Sequence, residues 1–183
     1  MTFTDLLEQL DTNGKDAKLN IKKVILTDEN TLLDELSTQA IVLAVSLSLQ
    51  SQPLIDAART FTKDCHDDIK NAAAICANIM AMNNVYYRAT HLIESSNLTK
   101  QPAGLRMQGL VQHNINKGLF ELMSLAVSTI NGCGLCLQSH YQQLQAHYRD
   151  EQIAQALRIS ASLAALNQSL YSSGFEIESS YTI

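Results

Sequence analysis

Apolar residues recur along most of this chain at the three-to-four-residue spacing of amphipathic helices. One such set begins at Ala17, and short helices are expected within residues 4–26. Residues 95–104 contain Pro102 and Gly104 and predict a linker. The longer helices are expected at about 32–49, from Pro53 onward, at 67–93, on both sides of Asn131 and Gly132, and at 150–171.

Part of this helical pattern occurs twice. The tetrapeptide Leu-Ala-Val-Ser at 43–46 recurs at 125–128, an offset of 82 residues. A second block recurs at an offset of 84 residues, where Ile69, Ala72, Ile75, Ala77, Ala81, Asn83 and Tyr87 match Ile153, Ala156, Ile159, Ala161, Ala165, Asn167 and Tyr171. We therefore expect two copies of one helical unit, at about 32–93 and 119–171, packed as a single compact domain over residues 1–183.

The composition favours helices and excludes several other classes of protein. With 7 Gly and 2 Pro in 183 residues, the chain lacks the turn residues of a β-sandwich or barrel, so an all-α fold is expected. A hydrophobic share of 46% is too high for a disordered chain. The net charge of −5, without clusters of Lys or Arg, argues against nucleic acid as a partner.

Neither a secretory signal nor a membrane span is expected. Residues 1–8 carry acids where a signal peptide would carry bases, and the most apolar window, 40–49, is too short to cross a bilayer. We therefore expect a cytoplasmic protein that does not associate with membranes. In that compartment its 4 cysteines are more often reactive or buried thiols than structural disulfides.

A pair of cysteines provides the candidate chemistry. Gly132 can end one helix in the left-handed conformation, which places Cys133 at the start of the next helix and Cys136 one turn further. Two cysteines at this spacing can close a small disulfide loop. The unpaired N–H groups at a helix start also favour a thiolate there. This segment therefore predicts a redox-active dithiol.

A histidine and a glutamate complete the candidate site. His140 follows Cys136 by 4 residues and shares its helix face, while Glu121 lies on the preceding helix and can orient the imidazole. A thiol, a base and a carboxylate form the general arrangement of an activated nucleophile. The other copy lacks all of these side chains, so the fold does not require them; the corresponding residues are Gln39, Ser51, Leu54 and Ala58.

The spacing Glu-x11-Cys-x2-Cys-x3-His resembles the alkyl hydroperoxidase D (AhpD) family of the carboxymuconolactone-decarboxylase-like fold. Residues 15–20, residues 120–128 and the duplicated helical layout extend the likeness over most of the chain. The resemblance implies an all-α antioxidant enzyme, a lipoyl-dependent peroxidase and thiol–disulfide oxidoreductase of the oxidative stress response. Such an enzyme relays electrons from dihydrolipoamide through its dithiol to a peroxiredoxin or an organic peroxide, with no bound cofactor.

The resemblance also implies roles and partners. Cys136 would become the sulfenic acid, Cys133 would be the proton donor and resolving thiol, and Glu121 and His140 would form the proton relay. Family members carry a histidine directly before the second cysteine, where this chain has Leu135, which predicts weaker direct peroxidase turnover. The implied partners are an AhpC-type peroxiredoxin, a lipoyl-carrying acyltransferase and lipoamide dehydrogenase, and the implied assembly is a homotrimer.

Two other functions stay open at this point. Cys133, Cys136, His140 and His147 could bind zinc in a non-enzymatic helical interaction module, although these ligands would lie along one continuing helix. A decarboxylase would rest on the fold alone, and decarboxylases of this fold need no cysteine pair. The remaining thiols and imidazoles carry simpler expectations: Cys65 and Cys76 are expected to be buried and inert, and His66, His91 and His113 to lie at the surface or at helix caps.

Overall fold

The chain is helical throughout the part that the computed structural model describes, residues 1–27 and 32–174. These ranges contain nine α-helices, two 3₁₀ turns at Thr12–Gly14 and Gln108–Leu110, and no β-strand, which confirms the all-α prediction. The helices are α1 (Phe3–Glu8), α2 (Lys15–Val24), α3 (Glu35–Ser48), α4 (Gln52–Phe61), α5 (Asp67–Ile93), α6 (Ser96–Thr99), α7 (Lys117–Asn131), α8 (Gly134–Leu144) and α9 (Asp150–Ser172).

Polar side chains set where several helices begin. Asp34 Oδ1 accepts a 2.7 Å hydrogen bond from the Ser37 N–H, so α3 starts at Glu35 rather than at the predicted residue 32. Asn116 Oδ1 accepts a 3.2 Å hydrogen bond from the Leu119 N–H at the start of α7. Pro53 lies in the first turn of α4, as expected for a residue that lacks an N–H.

Helices α3 and α7 form the centre of the fold and pack against each other. Each also packs against both long helices, α5 and α9. Residues 40–46 of α3 and 122–128 of α7 are all buried, as is typical of helices surrounded by others. Helix α2 covers α9 and α1 covers α4 from outside. In the described ranges, no helix combines the length and the apolarity needed to cross a membrane.

The helices α3–α5 and α7–α9 follow the same order of lengths. The first set has 14, 10 and 27 residues, and the second has 15, 11 and 23. Helix α3 packs on α5 as α7 packs on α9. This correspondence supports our interpretation of a duplicated unit. The predicted single domain over 1–183 also includes residues 28–31 and 175–183, which lie outside the described ranges.

The expected linker at 95–104 is wrong in part. Ser95 Oγ accepts a 3.4 Å hydrogen bond from the Leu98 N–H and starts the one-turn helix α6. A local cap of this kind stabilises a single turn without any hydrophobic periodicity, so the pattern of apolar residues gives no sign of it. After Gln101 the backbone has no regular structure until the 3₁₀ turn at Gln108–Leu110.

Candidate active site

The turn between α7 and α8 places the two cysteines. Gly132 adopts a left-handed conformation with φ of 64°, and its N–H closes the end of α7. Cys133 follows as the N-cap of α8, where its Sγ accepts a 3.3 Å hydrogen bond from the Cys136 N–H. Both expectations for this turn, the left-handed Gly132 and the cysteine at the helix start, are confirmed.

Cys133 and Cys136 form a disulfide with their Cα atoms 5.3 Å apart. The two sulfurs differ in access, since Cys133 is 0% exposed and Cys136 is 7% exposed. Of the two residues, Cys136 is the one that lines the neighbouring pocket. Cys136 is therefore the sulfur that is accessible from the pocket, and Cys133 lies behind it.

His140 and Glu121 form a close pair beside the disulfide. The distance from His140 Nδ1 to Glu121 Oε2 is 2.7 Å, and the two side chains are 14% and 18% exposed. An ionised carboxylate only accepts hydrogen bonds, so Nδ1 is the nitrogen that donates and Nε2 is left as the basic nitrogen. Glu121 thus lies where it can orient the imidazole, as the sequence predicted for a residue on the preceding helix.

A pocket of about 540 Å³ opens next to Cys136 and His140. Its wall combines apolar side chains with a few polar ones, the mixture that is typical of small-molecule sites. The lining residues are Met80, Asn83, Tyr87, Met107, Leu110, Lys117, Glu121, Leu135, Cys136, Ser139, His140 and Gln143.

A buried polar network holds α5, which supplies one wall of the pocket, against α7, which supplies Glu121. Asn84 Nδ2 donates to Ser128 Oγ at 2.9 Å, and Asn84 Oδ1 accepts from Asn131 Nδ2 at 3.0 Å. Arg88 also donates to the Asn131 carbonyl at the end of α7. These bonds fix the register of the two helices because any sliding would leave buried amides unpaired.

Comparison with known proteins gives consistent results. The family model of the carboxymuconolactone decarboxylase family matches residues 98–174, the part that holds the disulfide and the His–Glu pair. An alkyl hydroperoxide reductase AhpD of Coxiella burnetii is 38% identical over 165 residues, which cover 88% of this chain and 92% of the relative. The AhpD proteins of Maricaulis maris and Methylobacterium sp. are 36% and 37% identical to this chain, and the matches cover 95% and 97% of their lengths.

The chain belongs to the AhpD family. The resemblance identified from the sequence is thereby confirmed, and the similarity extends over almost the whole length of these relatives.

Leu135 occupies the position at which the resemblance identified from the sequence implies a histidine. Its side chain is 39% exposed and lines the pocket directly beside Cys136. An aliphatic group can neither carry a proton nor accept a hydrogen bond. Leu135 therefore contributes no proton-carrying group beside Cys136, where the pocket also holds His140 and Glu121.

The corresponding positions in the first helical unit have purely structural contacts. Gln39 matches Glu121, but its Nε2 donates to the Phe61 carbonyl at 3.2 Å and its Oε1 accepts from Cys65 Sγ at 3.0 Å. Ser51 matches Cys133 and is likewise the N-cap residue of its helix, α4. Helix α4 thus starts without a cysteine at its N-cap, so a capping role alone does not explain Cys133 at the start of α8.

The other two cysteines lie apart from the pocket. Cys76 is fully buried on α5, with Sγ 3.6 Å from Ser124 Oγ, which confirms the expectation of burial. Cys65 is half-buried rather than buried, because it lies in the loop between α4 and α5. Burial raises the pKa of both thiols, that of Cys76 to about 12.

We expect Cys76 to resist alkylation in the folded, reduced protein. With its pKa at about 12, only about one Cys76 in ten thousand is a thiolate at pH 8, and iodoacetamide reacts with thiolates. Reduction followed by iodoacetamide at pH 8 and peptide mass spectrometry should show Cys136 modified and Cys76 intact. In urea, all 4 cysteines should react. Equal labelling of Cys76 and Cys136 under native conditions would show that Cys76 is not shielded.

The zinc alternative gains no support from the geometry. Among residues 1–27 and 32–174, no three His, Cys, Asp or Glu side chains are grouped as metal ligands would be. The sulfurs of Cys133 and Cys136 are bonded to each other, and His147 packs against Gly118.

Two histidines illustrate what the sequence indicated and what it missed. His66 caps α5, with its Nδ1 accepting from the Asp68 N–H at 3.3 Å, in agreement with the expected capping role. His113 was expected at the surface or at a cap, but it is 9% exposed and stacks on Phe120 with ring centroids 4.1 Å apart. Burial lowers the pKa of His113, which favours the neutral, stacked ring.

The sequence also missed the wall of the pocket on α5. Asn83 and Tyr87 entered only as matching positions of the repeat, and Met80 was given no role in a site. Their spacing of three and four residues was the available signal, since it places all three on one helix face. That this face meets α8 depends on tertiary packing and is not contained in the local pattern.

Proposed function

We propose that this protein is an alkyl hydroperoxide reductase and thiol–disulfide oxidoreductase that cycles through the Cys133–Cys136 pair. The observation that carries the proposal is the placement of a disulfide with one accessible sulfur, Cys136, at a pocket that also holds the His140–Glu121 pair. The alkyl hydroperoxide reductase names of the relatives agree with this chemistry.

In the reductive half of the cycle, a dithiol such as dihydrolipoamide reduces the disulfide. One of its thiolates attacks Cys136 Sγ and the bond to Cys133 Sγ breaks, so that Cys133 leaves with the electron pair. The N–H groups at the start of α8 stabilise the departing thiolate, because Cys133 Sγ already accepts the Cys136 N–H there. The second thiol of the reductant then attacks its own bound sulfur, which closes the lipoyl ring and releases reduced Cys136.

In the oxidative half, the Cys136 thiolate attacks the terminal oxygen of a hydroperoxide. The S–O bond forms, the O–O bond breaks, and the alkoxide takes a proton and leaves as the alcohol. Cys133 then attacks the sulfenic acid of Cys136, which restores the disulfide and releases water. His140, held by Glu121, supplies and removes protons at Cys136 through its Nε2 atom.

The absence of a relay histidine at position 135 affects the oxidative half of the cycle more than the reductive half. Attack on a peroxide requires a proton for the leaving alkoxide, whereas disulfide exchange requires mainly an accessible thiolate and a good leaving group. We therefore propose that transfer of electrons to an AhpC-type peroxiredoxin is the main output and that direct reduction of organic peroxides is slower. A lipoyl-carrying acyltransferase and lipoamide dehydrogenase would supply the electrons, and a homotrimer of cytoplasmic chains is the proposed assembly.

Reconstitution with lipoamide, lipoamide dehydrogenase and NADH tests this function. With tert-butyl hydroperoxide as oxidant, NADH oxidation should depend on the protein and should increase when an AhpC-type peroxiredoxin is added. The matched control is the same mixture without lipoamide, in which the protein has no dithiol to react with. Absence of protein-dependent NADH oxidation both with and without the peroxiredoxin would refute the proposal.

A further inference from the structure

Asn83 contributes an unpaired polar group to the wall of the active-site pocket. It lies on α5 between Met80 and Tyr87, which line the same wall. Asn83 is 6% exposed, and within the described part of the chain its Oδ1 atom has no hydrogen-bond partner. A buried acceptor without a donor destabilises a protein because the group has lost its water and gained no replacement.

The neighbouring amide shows how such a group is normally satisfied. Asn84 is 0% exposed, and both ends of its side chain are bonded, to Ser128 and to Asn131. The fold therefore provides partners where an amide holds α5 against α7. Asn83 lines the pocket instead, and its unpaired Oδ1 is itself buried, so the amide must turn to bond with a molecule that enters the pocket.

We propose that Asn83 is a residue that binds the –OOH group of the hydroperoxide substrate in this pocket. The inference rests on the proposed function and deepens it. A hydroperoxide carries an O–H donor for Asn83 Oδ1 and oxygen acceptors for Asn83 Nδ2. The last torsion of asparagine is soft, so the amide can turn toward a bound substrate at small cost.

The rest of the pocket fits the remainder of such a substrate. Met80, Met107 and Leu110 line it and offer an apolar surface for an alkyl group. Asn83 would then hold the –OOH group while Cys136 Sγ, at the same pocket, attacks the terminal oxygen. A dithiol reductant gains little from the amide, because S–H is a weak donor and the thiolate that attacks Cys136 has no proton to donate.

The chain contains a matched control for this residue. Asn167 on α9 corresponds to Asn83 in the repeat, and its Oδ1 also has no partner in the described ranges. Asn167 does not line the active-site pocket. Asn167 is half-buried, and its substitution removes an amide with a buried, unpaired Oδ1 without changing the proposed binding of peroxide.

The experiment measures the two half-reactions separately in wild type, Asn83→Leu and Asn167→Leu. Stopped-flow mixing of the reduced protein with tert-butyl hydroperoxide follows the oxidative step, and mixing of the oxidised protein with dihydrolipoamide follows the reductive step. We expect Asn83→Leu to slow the oxidative step about tenfold, the effect of one lost hydrogen bond, and to leave the reductive step unchanged. Asn167→Leu should change neither step, and neither variant should unfold at lower urea than wild type, because leucine removes an unpaired group.

Three results would overturn the inference. These are an oxidative step unchanged in Asn83→Leu, both steps slowed equally, or the same loss in Asn167→Leu. Asn83→Ala, which removes the amide without adding volume, is measured in parallel as a control for steric blockage by leucine. If leucine only blocks the pocket, Asn83→Ala will react at the wild-type rate, and the inference fails. A wild-type protein that reacts with dihydrolipoamide but with no hydroperoxide would refute the peroxidase part of the proposed function and, with it, the assignment of Asn83.

Discussion

Replacing Cys136 with serine should abolish turnover with dihydrolipoamide and hydroperoxide, by roughly 10⁴-fold or more. Cys136 carries the sulfur that lines the pocket, and a serine hydroxyl at this position neither ionises near neutral pH nor forms a disulfide. The measurement is NADH oxidation in the reconstituted lipoamide system. Circular dichroism checks that the variant is folded. Full activity of Cys136→Ser would show that the reactive sulfur has been assigned wrongly.

Two companion variants make this result specific. Cys133→Ser keeps the accessible sulfur, so one equivalent of hydroperoxide should convert Cys136 to a sulfenic acid that cannot close the disulfide, and excess peroxide should carry it on to the sulfinic acid without turnover. Cys65→Ser should retain wild-type turnover, since Cys65 lies in the loop before α5 and does not line the pocket. Loss of activity in Cys65→Ser would indicate that this half-buried thiol takes part in the cycle.

We expect His140→Ala and Glu121→Gln to slow the oxidative half-reaction by roughly 10³-fold and 10²-fold, within the range of general acid–base catalysis. The two side chains are joined by a 2.7 Å contact and act as one unit. The double variant should therefore be no slower than His140→Ala alone. Stopped-flow measurement of the four proteins, including wild type, gives the coupling between the two side chains directly.

A matched control for this pair lies in the other helical unit. Gln39 occupies the position that corresponds to Glu121 and contacts the Phe61 carbonyl and Cys65. Gln39→Leu should leave the half-reaction at the wild-type rate, even if it lowers the free energy of unfolding. Strictly additive losses in the His140 and Glu121 variants would contradict the idea that Glu121 works by orienting the imidazole.

The all-α fold and the core of the site were predictable because their determinants are local. The start of α8 depends on the short segment Asn131 to Cys136, in which one glycine ends a helix and one cysteine caps the next. The pairing of Glu121 with His140 follows from placing both on adjoining helices that reverse at this turn. Some helix starts are set by a side-chain cap, as Asp34 sets the start of α3. The sequence predicted this start too early, because the pattern of apolar residues continues past the cap.

The features that the sequence did not reveal depend on contacts between distant segments. Asn83 is 50 residues away from Cys133 in the chain, and only the packing of α5 against α7 and α8 brings it to the pocket. His113 is buried because its ring stacks on Phe120, a contact that no spacing rule for a single helix predicts. Helix α6 begins at a local hydrogen bond from the Leu98 N–H to Ser95 Oγ and carries no apolar stripe.

The complete burial of Cys133 limits how far oxidation of this site can proceed. A sulfenic acid on Cys136 is vulnerable to a second peroxide molecule, which would convert it irreversibly to a sulfinic acid. The resolving sulfur of Cys133 lies behind Cys136 in the same helical turn, and the Cα atoms of the two residues are 5.3 Å apart. Cys133 is fully buried, so its sulfur is not exposed to peroxide in solvent. In the proposed cycle, ring closure within the turn is intramolecular, so we expect it to compete well with a second peroxide molecule and to protect the site from permanent inactivation.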